Sequence, residues 1–272
     1  MRYTPIALHY VLGDKIHASS GVYITPISPL KSSSSSSASF ILTINHIPNI
    51  GEYSIYANLG NTDTPSQVHW HRVSILEEVS INPSEFEFFD THNQFKLYPR
   101  DQYGRTISIL KLSSSVLNSD TETLPSPIST SLAGAAGGVG GPVATKSSIS
   151  VGDQVTIVSS PFNFTNSLIF HQFTTTARIV YKVHTNDHDA DNGDGVADYW
   201  LSDAAYMENM AGGAVIDNKV NSLVAANGDA KVGNNTNNNT SENKLVGLVL
   251  GNLRKTNGDG NLMVIIPLRK IV

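Results

Sequence analysis

The chain contains no cysteine in 272 residues, so no disulfide framework can staple it together. That absence fits a reducing, interior compartment better than a secreted one. Charge is sparse, at 15% of residues. Its 18 basic and 23 acidic side chains leave a net charge of -5 and no basic footprint. Nucleic acid is therefore not expected as a partner. The first residues, Met1-Arg2-Tyr3-Thr4-Pro5-Ile6-Ala7-Leu8-His9, hold no apolar run long enough for a signal peptide, and no segment reads as a membrane span. The Asn-x-Thr matches at Asn163, Asn234 and Asn238 are read as chance. No stretch sustains a 3.6-residue apolar period over three turns, which excludes long helices. The expectation is a soluble intracellular protein with little helix.

What the chain does have is short apolar or alternating runs, rich in Val, Ile, Thr and Tyr and bounded by Gly, Pro, Asn and Ser. They fall at residues 21–24, 40–43, 68–75, 86–89 and 107–112, then at 154–158, 177–183, 213–216, 244–250 and 262–266. This is the pattern of an all-β sandwich or barrel. Low-complexity segments interrupt it: a serine run at 32–37, a Ser/Gly-rich stretch at 113–150 and an Asn/Thr tract at 233–240. The expected plan is a β-rich half over residues 1–112, a flexible linker over 113–150 and a second β-rich half over 151–272. Any chemistry would lie in the crevice between the halves.

Four motifs in order carry a resemblance. Phe40-Ile41-Leu42-Thr43-Ile44-Asn45-His46-Ile47 is an apolar strand ending in histidine. Thr106-Ile107-Ser108-Ile109-Leu110-Lys111-Leu112 is a second apolar strand. Asn209-Met210-Ala211-Gly212-Gly213-Ala214-Val215 is a glycine turn, and Leu245-Val246-Gly247-Leu248-Val249-Leu250-Gly251 is a third strand. Together they resemble the trypsin-like (chymotrypsin-fold) serine proteases, whose corresponding segments read "ILTxxHV", "DIALLKL", "Gly-x-Ser-Gly-Gly-Pro-Val" and "LxGIVSxG". The segments around Val151-Gly152-Asp153, Ser159-Ser160-Pro161, Ile169-Phe170 and Leu201-Ser202-Asp203 are most similar to the peroxisomal leader-peptide-processing branch. The resemblance implies two six-stranded antiparallel β-barrels with a substrate cleft between them.

It also implies residue roles. His46 stands at the general-base position, Thr106 at the position of the orienting aspartate and Ala211 at that of the nucleophilic serine. Asn209 replaces a glycine, and its N–H with that of Ala211 would form the oxyanion hole. Leu245, Leu250 and Gly251 lie on the strand that lines the cleft and pairs with bound peptide. Acyl transfer needs a hydroxyl, an imidazole, a carboxylate and oxyanion donors. A methyl group cannot attack a carbonyl, and threonine cannot stabilise an imidazolium by charge. Asp90 and Asp101 are upstream carboxylates that could substitute for the missing aspartate. The sequence is therefore read as a pseudoprotease that binds a peptide or protein partner. The alternative is an intracellular or peroxisomal processing endopeptidase whose serine is replaced by Ala211 in this copy. Departures at Thr106 and Asn209 as well favour natural loss over a single engineered change.

Three further signals are weighed against plainer readings. His69 and His71 share one strand face, but no third ligand sits at a telling spacing. Residues 187–198 place Asp187, Asp189, Asp191 and Asp198 at loop positions 1, 3, 5 and 12 of a calcium loop. Asn192 replaces the turn glycine and Asp198 the bidentate glutamate, so a solvated acidic loop is favoured, with calcium as the alternative and no other cofactor expected. Arg2, Ile6, Ala7 and His9 partly match an N-terminal peroxisomal signal, while the C-terminal Lys270-Ile271-Val272 matches none.

Overall fold

The computed structural model describes residues 2–25, 39–45, 47–59, 70–81, 95–98, 105–112, 149–162, 170–184, 197–217, 244–255, 257 and 260–271. Thirteen strands account for most of them. The first seven are β1 (Arg2–Leu12), β2 (Lys15–Thr25), β3 (Phe40–Asn45), β4 (Ser54–Asn58), β5 (Trp70–Ile81), β6 (Phe95–Tyr98) and β7 (Arg105–Leu112). After residue 148 follow β8 (Gln154–Ser159), β9 (Phe173–Val183), β10 (Tyr199–Ser202), β11 (Ala214–Asp217), β12 (Lys244–Lys255) and β13 (Leu262–Pro267). Helical residues are few among those described, chiefly the 3-10 turns Ile50–Glu52 and Leu268–Lys270.

All pairings are antiparallel and close two barrels. The first runs β1-β2-β3-β7-β5-β4. The second runs β11-β8-β9-β10-β13-β12, and pairing of β11 with β12 closes it. Numbered within its own barrel, each follows the order first, second, third, sixth, fifth, fourth. Closure removes the exposed edges that open sheets carry. The result is all-β with two six-stranded barrels, the trypsin-like double-barrel fold. One strand does not follow the division of the chain: β6, from the first half, pairs with β12 of the second barrel.

Alternating side chains sort the core into three layers. Ile6, Leu8, Tyr10, Ile41, Ile55 and Leu110 fill the first barrel. Val155, Ile157, Ile179, Trp200, Val249 and Ile265 fill the second. A third cluster draws on both halves, joining Val22, Leu42 and Ile107 to Val158, Leu248, Leu250 and Val264. This shared layer fixes the two barrels against each other and forms the floor beneath the glycine turn. Burying apolar side chains at about 25 cal/mol per Å² makes such a layer a strong restraint on relative movement.

Candidate functional site

The glycine turn leads into β11. Gly213 N–H donates to the Met210 carbonyl (2.9 Å), and Met210 N–H donates to the Met207 carbonyl (3.2 Å). Asn209 adopts φ 69° and Gly212 φ 82°. Asparagine is one of the few non-glycine residues that enters this left-handed region readily. Glycine is required at 212 for a second reason. A Cβ there would lie 2.1 Å from the Ser20 carbonyl oxygen and 2.7 Å from Thr43 Oγ1.

Ser20 of β2 clamps the turn from the opposite barrel. Its N–H donates to the Ala211 carbonyl (2.9 Å) and its hydroxyl to the Asn209 carbonyl (2.8 Å). The same hydroxyl accepts the Ser160 N–H (2.8 Å), and the Ser20 carbonyl accepts the Thr43 hydroxyl (2.7 Å). Behind it, Thr43 Oγ1 lies 3.4 Å from Ser19 Oγ, which lies 3.0 Å from the Tyr10 hydroxyl. Burial raises the Tyr10 pKa, so this chain of hydroxyls is neutral and serves as scaffold. The Asn209 and Ala211 carbonyls are engaged, while neither the Asn209 N–H nor the Ala211 N–H is donated to an acceptor among the described residues. Ala211 itself is buried and presents a methyl group at the position that the resemblance assigns to a nucleophile.

His46 lies outside the described residues, as do Asp90, Asp101, His69, Asp187, Asp189 and Asp191. Next to His46, Asn45 Oδ1 accepts the Ile47 N–H (2.7 Å), a short local turn that ends β3. Asn45 pairs with Thr106, and on its other edge Thr106 pairs with Ser80. The backbone thus brings Thr106 beside the chain that leads into residue 46, but threonine brings no carboxylate. Asp198, at the end of the acidic loop, sits 3.3 Å from Lys270 Nζ. Among the described residues no three His, Asp or Glu side chains gather as a metal site. Ile6 and Ala7, from the N-terminal signal-like match, are buried within β1.

On the cleft strand, Leu245 and Leu250 are fully buried. Leu245 pairs with Ile216 of β11, so its backbone is already committed. On the edge that β11 and β6 share, Leu250 and Gly251 lie between the residues bonded to β11 and the turn and those paired with β6. Sequence reasoning did not reach three neighbours of this site. Ser20 is separated from Asn209 by 189 residues and carries no local motif. β6 crosses to the other barrel. Asn252, following Gly251, is wholly buried with both amide atoms unbonded, and Ser202 Oγ is in the same state. Both pair with Met263, from opposite sides, so the three side chains share one face.

A double barrel with a left-handed glycine turn between its halves is the architecture of trypsin-like proteins, and the chain has that fold. Among solved structures it is similar to an inactivated protease paralogue of the scabies mite, S-I1. The match has 11% identity and a TM-score of 0.47, and it covers 98% of this chain and 89% of that one. No protein-family model and no curated protein matches the sequence.

Proposed function

We propose that the protein is a non-catalytic relative of the trypsin-like proteases that uses its cleft to hold an extended segment of a peptide or protein partner. The observation that carries this reading is Ala211. The turn is clamped by Ser20 and floored by the shared core, and its Asn209 and Ala211 N–H groups meet no acceptor among the described residues, yet the side chain it positions is a methyl. Loss of the nucleophile alone costs about 10⁶ in kcat in a serine protease, and the remaining hole and binding leave only about 10³ over water. Thr106 compounds the loss by supplying no charge to an imidazolium. Removing the nucleophile leaves the groove and its backbone donors intact, and these bind chains rather than cut them.

Restoring the hydroxyl tests this directly. Ala211→Ser is expected to stay silent in peptide and ester cleavage and to resist fluorophosphonate labelling. Robust turnover by that single variant would overturn the reading in favour of an intracellular or peroxisomal processing endopeptidase that has lost only its serine. The partner half of the proposal is tested by a peptide array probed with the unmodified chain, where the absence of any saturable binder would count against it.

A further inference from the structure

One edge of β12 meets three neighbours in turn. Residues 244–248 pair with β11, ending with Leu248 opposite Ala214. Val249 accepts from Gly212 N–H (2.8 Å) and donates to the Gly213 carbonyl (2.9 Å). Further along, Asn252, Leu253, Arg254 and Lys255 pair with Tyr98, Leu97, Lys96 and Phe95 of β6. β13 pairs with β12 from Gly247 to Leu253. A strand has two edges, so β11 and β6 must share the other one. A peptide adding as a strand beside the Ala211 turn would need the run from Leu250 onward. After Leu250 and Gly251, that run is held by β6.

We infer that β6 is an in-chain occupant of the peptide-pairing edge, and that an extended partner strand binds β12 by displacing it. This rests on the peptide-binding reading above. β6 itself demonstrates that the edge accepts an antiparallel strand, the hydrogen-bonding pattern that strand addition uses. It is four residues long and, among the described residues, pairs with β12 alone, whereas the strands of both barrels pair on two sides. Of its described side chains, Leu97 is half-buried against the shared core, and the Tyr98 ring lies 5.6 Å from the Arg254 guanidinium. An independent observation comes from Asn252. Its neighbour on the β6 side is Tyr98, and in that pairing neither atom of its buried amide finds a hydrogen bond. A strand presenting Asn, Gln, Ser or Thr opposite Asn252 would satisfy an amide that Tyr98 leaves open.

The test uses the full chain and a fluorescent peptide of its own residues 93–100 as probe. A tethered strand acts at an effective concentration of about 1 mM, so a micromolar probe is expected not to bind the unmodified protein. Leu97→Asp in the chain places a carboxylate against the apolar layer and frees the edge. The probe is then expected to bind at least about 100-fold more tightly. The opposite variant joins Leu97→Cys with Leu253→Cys, a directly paired position in a chain that has no other cysteine. Oxidised, it is expected to slow amide exchange over residues 252–255 by about tenfold or more and to abolish probe binding, and reduction is expected to reverse both. Equal probe binding by the unmodified and Leu97→Asp chains would overturn the inference. If Leu97→Asp fails to fold, unchanged exchange on oxidation of the cysteine pair overturns it instead. Array peptides that bind the locked and unlocked chains alike would sink the role of β6 while leaving partner binding intact. A probe that binds the freed edge when no array peptide does would support β6 and sink the partner reading.

Discussion

The two barrels share one strand order and differ in how they treat buried polar groups. In the first, the buried polar side chains Ser19, Ser20, Thr43, Asn45, Asn58 and Ser108 all have partners. In the second, Ser159 Oγ, Ser202 Oγ, the Asn252 amide and both ring nitrogens of His171 are shut from solvent with none. Native proteins leave few such groups, and each one asks for an explanation. The first barrel is a finished support whose hydroxyls converge on the turn. The second carries unsatisfied groups on β8, β10 and β12, and β12 is the strand that borders the cleft.

The sharpest way to break this arrangement is at its junction. Gly212→Ala would force a Cβ to 2.1 Å from a backbone oxygen at φ 82°, and the clash involves two barrels rather than a movable side chain. We expect a loss of about 4 kcal/mol or more, or failure to fold, read from urea unfolding of the purified chain. Ser20→Ala removes the hydroxyl that caps the Asn209 carbonyl and receives the Ser160 N–H, leaving both buried groups open. The expected cost is about 2 kcal/mol by the same measurement. A cost near zero would mean the clamp is incidental to the joining of the barrels.

Much of this arrangement was legible in the sequence, for identifiable reasons. The Val- and Ile-rich runs announced most strands, because a half-buried strand in a closed barrel must alternate or stay apolar. β1, β4, β6 and β10 were not announced. β1 holds Pro5, which weakens a strand reading, and its Ile6, Ala7 and Leu8 are all buried, so the alternation is lost. β10 is four residues long and buried throughout. The turn was legible in its letters, since a Gly-Gly pair after Asn specifies an unusual backbone. Ser20 was not, because a serine acquires its role only when another barrel arrives. Nor could composition reveal that β6 leaves the barrel of its own half: pairing partners are set in space, not along the chain.

The comparison is sharpened by removing an unpaired group instead of a paired one. Asn252→Leu keeps roughly the side-chain volume and deletes both orphaned amide atoms. Replacing an unsatisfied buried polar group by an apolar one of similar shape is neutral or favourable, so we expect a gain of about 1 kcal/mol in urea unfolding. Tyr10→Phe, the matched change in the first barrel, removes a group that is bonded to Ser19 and should cost about 1 kcal/mol. Opposite signs would confirm that the two interiors are satisfied to different degrees. If Asn252→Leu instead destabilises, the amide has a partner in solution and the contrast between barrels falls.

The smallest expected effect is a pH dependence from His171, in the turn entering β9. Desolvation lowers its pKa from the ordinary 6.5, so the fold favours the neutral ring. In the unfolded chain the ring regains its ordinary value and protonates first as pH falls. Below about 6.5 the unfolded state therefore binds the additional proton, and stability declines with falling pH until the folded ring also titrates. The contribution is fully present above that range and is lost on the acid side. A thermal scan between pH 7.5 and about pH 5 should show the melting temperature dropping, with a shallower slope in His171→Gln, which cannot titrate. An unchanged slope would show that the imidazole reaches water or a partner in the folded state. His171 would then no longer count among the groups that set the second barrel apart.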